Sequence, residues 1–142
     1  MYNNRLEEYI CKGMIEEAII LVRFVGGTKD KTYRSLLLKH LKATDSKILR
    51  NEIALALSDM GSNEAVDSLV EMLMHPITKG SRGTLLYALR ELDYIDLISK
   101  ITDFIGVSSL EVSMEAFLLL ENVFGKLSDE QKRKCKHIVV QS

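Results

Sequence analysis

The chain has 142 residues, of which 46% are hydrophobic and 27% are charged. This length and balance indicate one folded domain over residues 1–142 and exclude an intrinsically disordered chain. The formal net charge of -1 argues against a protein that binds nucleic acid through bulk positive charge.

The two cysteines and the apolar runs indicate the compartment. Cys11 and Cys135 lie near opposite ends of the chain, without a CxxC motif, among apolar residues at helical spacing. This placement predicts two reduced, structural thiols. The N-terminal residues are polar and acidic, and apolar runs such as 18–22 are too short to cross a bilayer. We therefore expect a cytoplasmic protein that does not bind membranes.

Apolar residues recur at three- and four-residue spacing along almost the whole chain, which predicts an all-α fold. Gly26-Gly27 is predicted to end a helix, whereas Asp45-Ser46 and Ser62-Asn63 are predicted to begin helices by capping free amides. Short connections favour antiparallel neighbours. The predicted helices lie near residues 3–11, 14–25, 30–43, 46–60, 63–75, 80–92, 95–105, 109–125 and 129–140.

An internal repeat is the strongest pattern in the sequence. The residues from Arg50 to Leu73 can be aligned with those from Arg82 to Ile105 at one fixed offset, with weaker echoes around Ala18 and Ala116. The aligned pairs are Arg50/Arg82, Ile53/Leu85, Ala54/Leu86, Ala56/Ala88, Leu57/Leu89, Met60/Leu92, Ala65/Leu97, Val66/Ile98, Leu69/Ile101 and Leu73/Ile105. A period of this size indicates stacked helical hairpins that share one continuous core.

Residues 48–73 resemble a HEAT repeat of the short variety first noted in phycobilisome-lyase-like proteins. The first helix carries Arg50, a stripe of small and apolar residues and the closing Gly61, and the second begins with Glu64-Ala65-Val66. The resemblance is best over residues 46–105. It implies a right-handed α-solenoid of about four HEAT-like helical hairpins plus an N-terminal capping helix.

No motif in the sequence predicts catalysis. His40, His75 and His137 are far apart, and none is followed by the glutamate of the His-Glu dyads that hold iron in HEAT-type hydroxylases. We expect them to be solvated or at helix ends. Neither cysteine forms a nucleophile–base arrangement, and GxSxG, P-loop and GxGxxG motifs are absent. We therefore expect no enzyme activity, no metal and no cofactor.

Two basic regions keep nucleic acid open as an alternative ligand. One is the run from Lys132 to His137, and the other spans Lys29 to Lys47. HEAT-type glycosylases bind DNA through a basic groove with aromatic residues. This chain has no Trp and a near-neutral charge, which weakens the analogy.

In HEAT stacks the second helix of each hairpin lines the concave face, so the resemblance implies a partner-binding surface here. Helical rotation of 100° per residue gives the outward positions. They are Ser35, Lys39, Lys42, Glu64, Asp67, Glu71, His75, Asp96, Ser99, Lys100, Asp103, Arg133 and Lys136, with His137 beside the last. The predicted surface is acidic in the middle and basic at its ends. We expect Asp96 and Asp103 to lie beside the acids of the preceding second helix, with no internal counter-charge.

These patterns favour a non-catalytic protein-binding module: an adaptor, a regulator or a small inhibitor such as an immunity protein. We expect it to be a monomer or weak oligomer and its partner to be another protein with a basic patch. A HEAT-like protein that binds nucleic acid through its two basic ends is the alternative, and an unrecognised enzyme ranks behind both.

Overall fold

A computed structural model describes residues 2–106 and 109–141 of the chain. These residues are helical and contain no β-strand, as the apolar spacing predicted. The α-helices are α1 (Tyr2–Cys11), α2 (Ile15–Thr28), α3 (Arg34–Ala43), α4 (Lys47–Asp59), α5 (Ala65–Met74), α6 (Gly83–Ala88), α7 (Ile98–Thr102), α8 (Leu110–Val123) and α9 (Asp129–Gln141). Each falls within one of the predicted segments to within a few residues.

Serine side chains begin three of these helices. The hydroxyl of Ser46 accepts a hydrogen bond from the Leu49 amide at 3.1 Å, and Ser109 does the same for Val112 at 3.3 Å. Ser128 and Gln131 cap α9 reciprocally. Such caps satisfy amides that have no partner within the helix, so the predicted start at Asp45-Ser46 is confirmed.

The start of α5 differs from the prediction. Among the described residues, no side chain caps this helix and the hydroxyl of the buried Ser62 has no hydrogen-bond partner. Asn63 instead accepts a hydrogen bond from the Asp93 amide at 2.9 Å. This side chain therefore ties the loop before α5 to the loop after α6.

The expected helix end at Gly26-Gly27 was wrong. Helix α2 continues to Thr28 and ends at Lys29, whose φ of 56° is left-handed. Gly26 lies where α2 crosses α4, and a Cβ placed there would be 2.9 Å from both Cα and Cβ of Ala56. Glycine is needed at position 26 for close packing and does not end the helix.

Helices α6 and α7 are shorter than the sequence predicted. Helix α6 ends at Ala88, after which hydrogen bonds such as Leu89 to Leu86 tighten to 3₁₀ spacing. A 3₁₀ turn over Ile95–Leu97 precedes α7. Gly80, with a φ of 91°, also keeps residues 80–82 out of the helix. The predicted helix 80–92 is therefore reduced to six residues.

The helices pack in two rows. In one row α2 contacts α4, α4 contacts α6 and α6 contacts α8; in the other, α3 contacts α5 and α7 contacts α9. Helix α1 packs on α2. We call α2, α4, α6 and α8 the first helices and α3, α5, α7 and α9 the second helices.

The core lies between these rows, and the aligned repeat positions fall in it. Leu69 and Ile101 are both fully buried, and seven of the ten aligned pairs are buried at both positions; Arg82, Leu97 and Ile105 are only partly buried. Arg50 is also buried, and its guanidinium donates to the Thr44 carbonyl. Burial lowers the pKa of Arg50. Arg82, at the aligned position, is only half-buried.

None of the described helices combines the length and the apolar character needed to span a bilayer. This finding agrees with the short apolar runs of the sequence.

Candidate partner-binding surface

The predicted partner-binding residues lie on the outward sides of the second helices or just beyond their ends. All are exposed except Ser99, which is half-buried. His75 follows α5 directly, where its Nδ1 accepts a hydrogen bond from the Ile77 amide at 3.1 Å. We call these outward positions the second-helix face.

Two ion pairs join α3 to α5 across this face. Arg34 Nη1 lies 2.7 Å from Glu64 Oε1, and Lys42 Nζ lies 2.9 Å from Glu71 Oε2. The expectation that the α5 acids lack an internal counter-charge was therefore wrong for Glu64 and Glu71. The cations of α3 supply it because the two helices pack side by side. Each pair is solvent-exposed and adds little stability, but together they fix the charge pattern of the surface.

A second set of polar contacts joins α1 to α3. Glu7 pairs with the Lys39 ammonium at 3.1 Å and with His40 Nε2 at 2.7 Å. The hydrogen bond from His40, followed by that from Lys39, lowers the pKa of Glu7. His40 is buried and lies in the last turn of α3, so it matches the expected helix-end position and not the solvated one. Glu7 was not predicted as part of this surface, because it lies on α1 and meets Lys39 and His40 of α3 only in the folded protein.

Several acids of the second-helix face are in no ion pair with any residue that the structure describes: Asp67, Asp96 and Asp103. Asp67 is exposed in the first turn of α5, where the helix dipole favours a carboxylate. Helix α5 packs on α3, α4 and α6, whereas α7 packs on α8 and α9. The acids of α5 and α7 were expected to lie side by side. The structure does not pack these two helices closely against each other, so this expectation was wrong.

Exposed apolar side chains are concentrated on the first helices instead. Ile20 and Phe24 of α2 are 68% and 66% exposed, and Tyr87 of α6 and Met114 of α8 are also exposed. Ion pairs between Arg23 and Glu52 and between Arg90 and Glu115 bridge neighbouring first helices on this side. No surface was predicted here, because the resemblance to HEAT repeats placed the partner-binding side on the second helices.

A polar cleft opens at the N-terminal ends of α4, α6 and α8. It measures about 710 Å³ and is lined by Lys47, Lys79 and Asn51. Glu111 also lies in it, with its carboxylate directly over Gly83, where any Cβ would collide with it. This carboxylate occupies the anion-favouring start of α6, so the cleft carries both signs of charge.

A more apolar cleft lies between α8 and α9, with a volume of about 550 Å³. Its walls include Phe117, Leu120, Phe124 and Val140. The ammonium groups of Lys132 and Lys136 lie 5.6 and 5.8 Å from the Phe124 ring centroid. Phe117 lies in the weaker repeat echo around Ala116, but its side chain is 43% exposed. Its spacing from Leu120 and Phe124 is the sequence signal for this second apolar stripe. We call this feature the end cleft.

The cysteines differ from one another. Cys135 is buried and accepts a weak hydrogen bond from Thr102 at 3.6 Å. Cys11, expected to be packed, is exposed, with Glu7 3.7 Å away. Neither is in a disulfide. Across residues 2–106 and 109–141, no three His, Cys, Asp or Glu side chains are grouped to hold a metal ion.

Comparison with models of known protein families finds no match to this chain, and neither curated proteins nor solved structures match it. The chemistry and packing of the surface are therefore the basis for a functional proposal.

Proposed function

We propose that the chain is a right-handed HEAT-type solenoid of about four hairpins, with α1 as its N-terminal cap. The support is the order of helix contacts. Each first helix packs on the next one along the chain, which is the arrangement of stacked repeats. The burial of aligned pairs such as Leu69 and Ile101 also supports a repeating core.

We propose that this solenoid is a non-catalytic, cytoplasmic protein-binding module that uses its second-helix face. One observation carries this proposal: the outward side chains of α3 and α5 form an exposed surface whose charges are held in place by cross-helix pairs. A surface with a fixed charge pattern can select and orient a protein partner. An adaptor, a regulator or an inhibitor would each use such a surface.

The charge expected on the protein partner follows from the acids of the second-helix face that are in no ion pair with a described residue. Asp67, Asp96 and Asp103 are available to a basic patch on another protein, whereas Glu64 and Glu71 already have cations beside them. We therefore place the main electrostatic contact at Asp67, between the two α3–α5 ion pairs.

The same ion pairs disfavour the nucleic-acid alternative at the N-terminal end. Arg34, Lys39 and Lys42 are each paired with a glutamate, so phosphate groups would have to displace these carboxylates. Nucleic-acid affinity rises with the number of phosphates neutralised by cations. The basic side chains of α9 remain for such binding, together with Lys29, Lys31 and Lys47, which are in no ion pair with a described residue.

The test compares two charge-reversal variants, Asp67→Lys on the second-helix face and the control Glu16→Lys on α2. Both acids are exposed in the first turn of a helix and both lack an ion pair among the described residues, so the helix-dipole cost should be similar. A partner recovered from the native host is then titrated against each variant. We expect Asp67→Lys to weaken binding about tenfold and to reduce its salt dependence, with Glu16→Lys close to wild type.

Glu71 and Glu52 are avoided as test and control, because their reversal would also break the ion pairs with Lys42 and Arg23. Equal affinity of all three proteins for the partner would remove the second-helix face from the proposal. Recovery of nucleic acid in place of a protein would support the alternative.

A further inference from the structure

The end cleft is an apolar surface left open at one end of the helix rows. Phe117 and Val140 on its two walls are 43% and 79% exposed. Helix α8 packs on α6 and α7, and α9 packs on α7, so the described chain supplies no helix beyond them. In a stacked fold this is the side on which another pair of helices would pack.

The opposite end of the molecule is covered. There α1 packs on α2 and buries Leu6 completely, with Tyr9 and Ile10 packed against the core. Its outward side carries exposed polar residues such as Arg5 and Glu8. Repeat stacks need polar end faces to stay separate in water, and only the α1 end meets this condition.

The residues that line the rim of the end cleft include one charge of each sign, and the Lys132 ammonium lies beside the Phe124 ring of the same cleft. Glu121 lies on the α8 wall and Lys136 on the α9 wall. Both are exposed, and neither is in an ion pair with any residue of the described ranges. A partner that fits this rim presents a cation opposite α8 and an anion opposite α9.

We propose that the occupant of the end cleft is a second copy of this chain, which forms a two-fold symmetric dimer. A two-fold axis that runs along the cleft, between α8 and α9, places α8 of one copy over α9 of the other. Glu121 of each copy then faces Lys136 of the other copy, and the apolar walls close on each other. The surface is complementary to itself, as a two-fold interface requires.

The ends of the molecule decide between this closed dimer and an open filament. Head-to-tail stacking would need an apolar surface at the α1 end, and that end is polar. Tail-to-tail association through the end cleft buries the apolar surface of both copies and leaves the two polar α1 ends outside.

The first test exchanges the rim charges. Sedimentation of wild type over a range of concentrations should show a monomer–dimer equilibrium. Glu121→Lys places two lysines opposite each other twice in the dimer, and Lys136→Glu does the same with two glutamates. Each variant alone should therefore dissociate at least about tenfold more readily.

An equimolar mixture of the two variants provides the decisive result. One copy then has lysine at both positions and the other has glutamate at both, so every facing pair is attractive. We expect the mixture to form heterodimers at about the wild-type affinity. A peptide-binding cleft would show no such rescue.

The second test separates the apolar contribution from general surface effects. Phe117→Ser should abolish the dimer, whereas Phe24→Ser, which changes an even more exposed phenylalanine on α2, should leave it intact. Circular dichroism checks that both variants remain folded.

Three outcomes would overturn the proposal. They are a wild type that stays monomeric up to its solubility limit, a dimer whose dissociation constant is the same in all three cleft variants, and a mixture of charge variants that remains monomeric. If the protein stays monomeric and binds an acidic amphipathic peptide in the end cleft, the occupant of the cleft is a different protein and not a second copy. Lys136 is the cleft residue that also belongs to the second-helix face, and none of these outcomes bears on the proposed contact at Asp67.

Discussion

At the scale of single residues, two adjacent glycines show how differently one residue type can act. Gly26 and Gly27 both lie inside α2 with helical backbone, although the pair was expected to end the helix. Gly26 is buried against Ala56 of α4, whereas a Cβ on Gly27 would meet nothing within 4 Å. The sequence shows the two glycines but not which one faces a neighbouring helix.

This difference gives a matched pair of substitutions. We expect Gly26→Ala to destabilise the protein by about 1–3 kcal/mol, because the added methyl forces α2 and α4 apart. Gly27→Ala should be neutral or stabilising by up to about 1 kcal/mol, because alanine favours the helix more than glycine does. Urea denaturation followed by circular dichroism measures both. Equal stability of the two variants would contradict the close crossing of α2 and α4.

Arg50 and Arg82 show that the repeat alignment does not predict how deeply each side chain is buried. The repeat aligns them correctly, and both donate hydrogen bonds to the segment that precedes their helix. Arg50 is buried and Arg82 half-buried, with Arg82 also 5.5 Å from the Phe104 ring centroid. The alignment predicts the shared position, and the local packing decides how much water reaches each side chain.

At the scale of elements, polar contacts between helices decide the charge of the surface. The α3–α5 and α1–α3 contacts pair residues 29 or more apart in sequence, such as Lys42 with Glu71 and His40 with Glu7. Helices α3 and α5 are neighbours in one row, and α1, which lies in neither row, reaches α3 through Glu7. The surface is therefore less acidic in its middle than the outward positions alone suggest.

The contact between α1 and α3 predicts a pH-dependent stability. Because the pKa of Glu7 is lowered in the folded state, the unfolded state binds more protons between the two pKa values. The contribution of Glu7 is then fully present at neutral pH and is lost as the pH falls through the lowered pKa.

We expect Glu7→Gln to reduce the free energy of unfolding at pH 7 by less than about 1 kcal/mol, since the carboxylate is partly exposed. The difference from wild type should shrink below about pH 4.3, the ordinary glutamate pKa. Glu91→Gln, at an exposed loop position in no ion pair with any described residue, serves as the control and should show little difference at either pH. A deficit of Glu7→Gln that persists at pH 3 would indicate lost packing rather than lost charge.

At the scale of the whole molecule, the helices differ in how many sides are covered. Helix α4 packs on α2, α3 and α6, and its side chains include the fully buried Leu49, Ile53 and Leu57. Helix α1 packs mainly on α2, and α9 mainly on α7. Local opening is easier where fewer apolar contacts must be broken.

Hydrogen exchange should follow this order. We expect the amides of α4 to exchange at least about tenfold more slowly than those of α1 and α9. The measurement is made by mass spectrometry at the lowest practical protein concentration, so that association through the end cleft does not protect α9. Uniform protection along the chain would mean that the protein opens only as one unit and that the ends are not weaker.

The sequence by itself determined the helical class, most helix starts and the buried stripe of each repeat. These features depend on contacts within a few residues, such as the capping of α4 by Ser46, and on the periodic spacing of positions such as Leu69 and Ile101. Local hydrogen bonding and helical rotation make them readable from one sequence.

Only the tertiary structure decided which surfaces are neutralised and which remain open. The pairing of Lys42 with Glu71, the close approach at Gly26 and the exposure of Phe117 in the end cleft depend on how helices far apart in sequence cross and rotate. Such geometry arises when many side chains pack together, and the spacing of residues within one helix does not specify it.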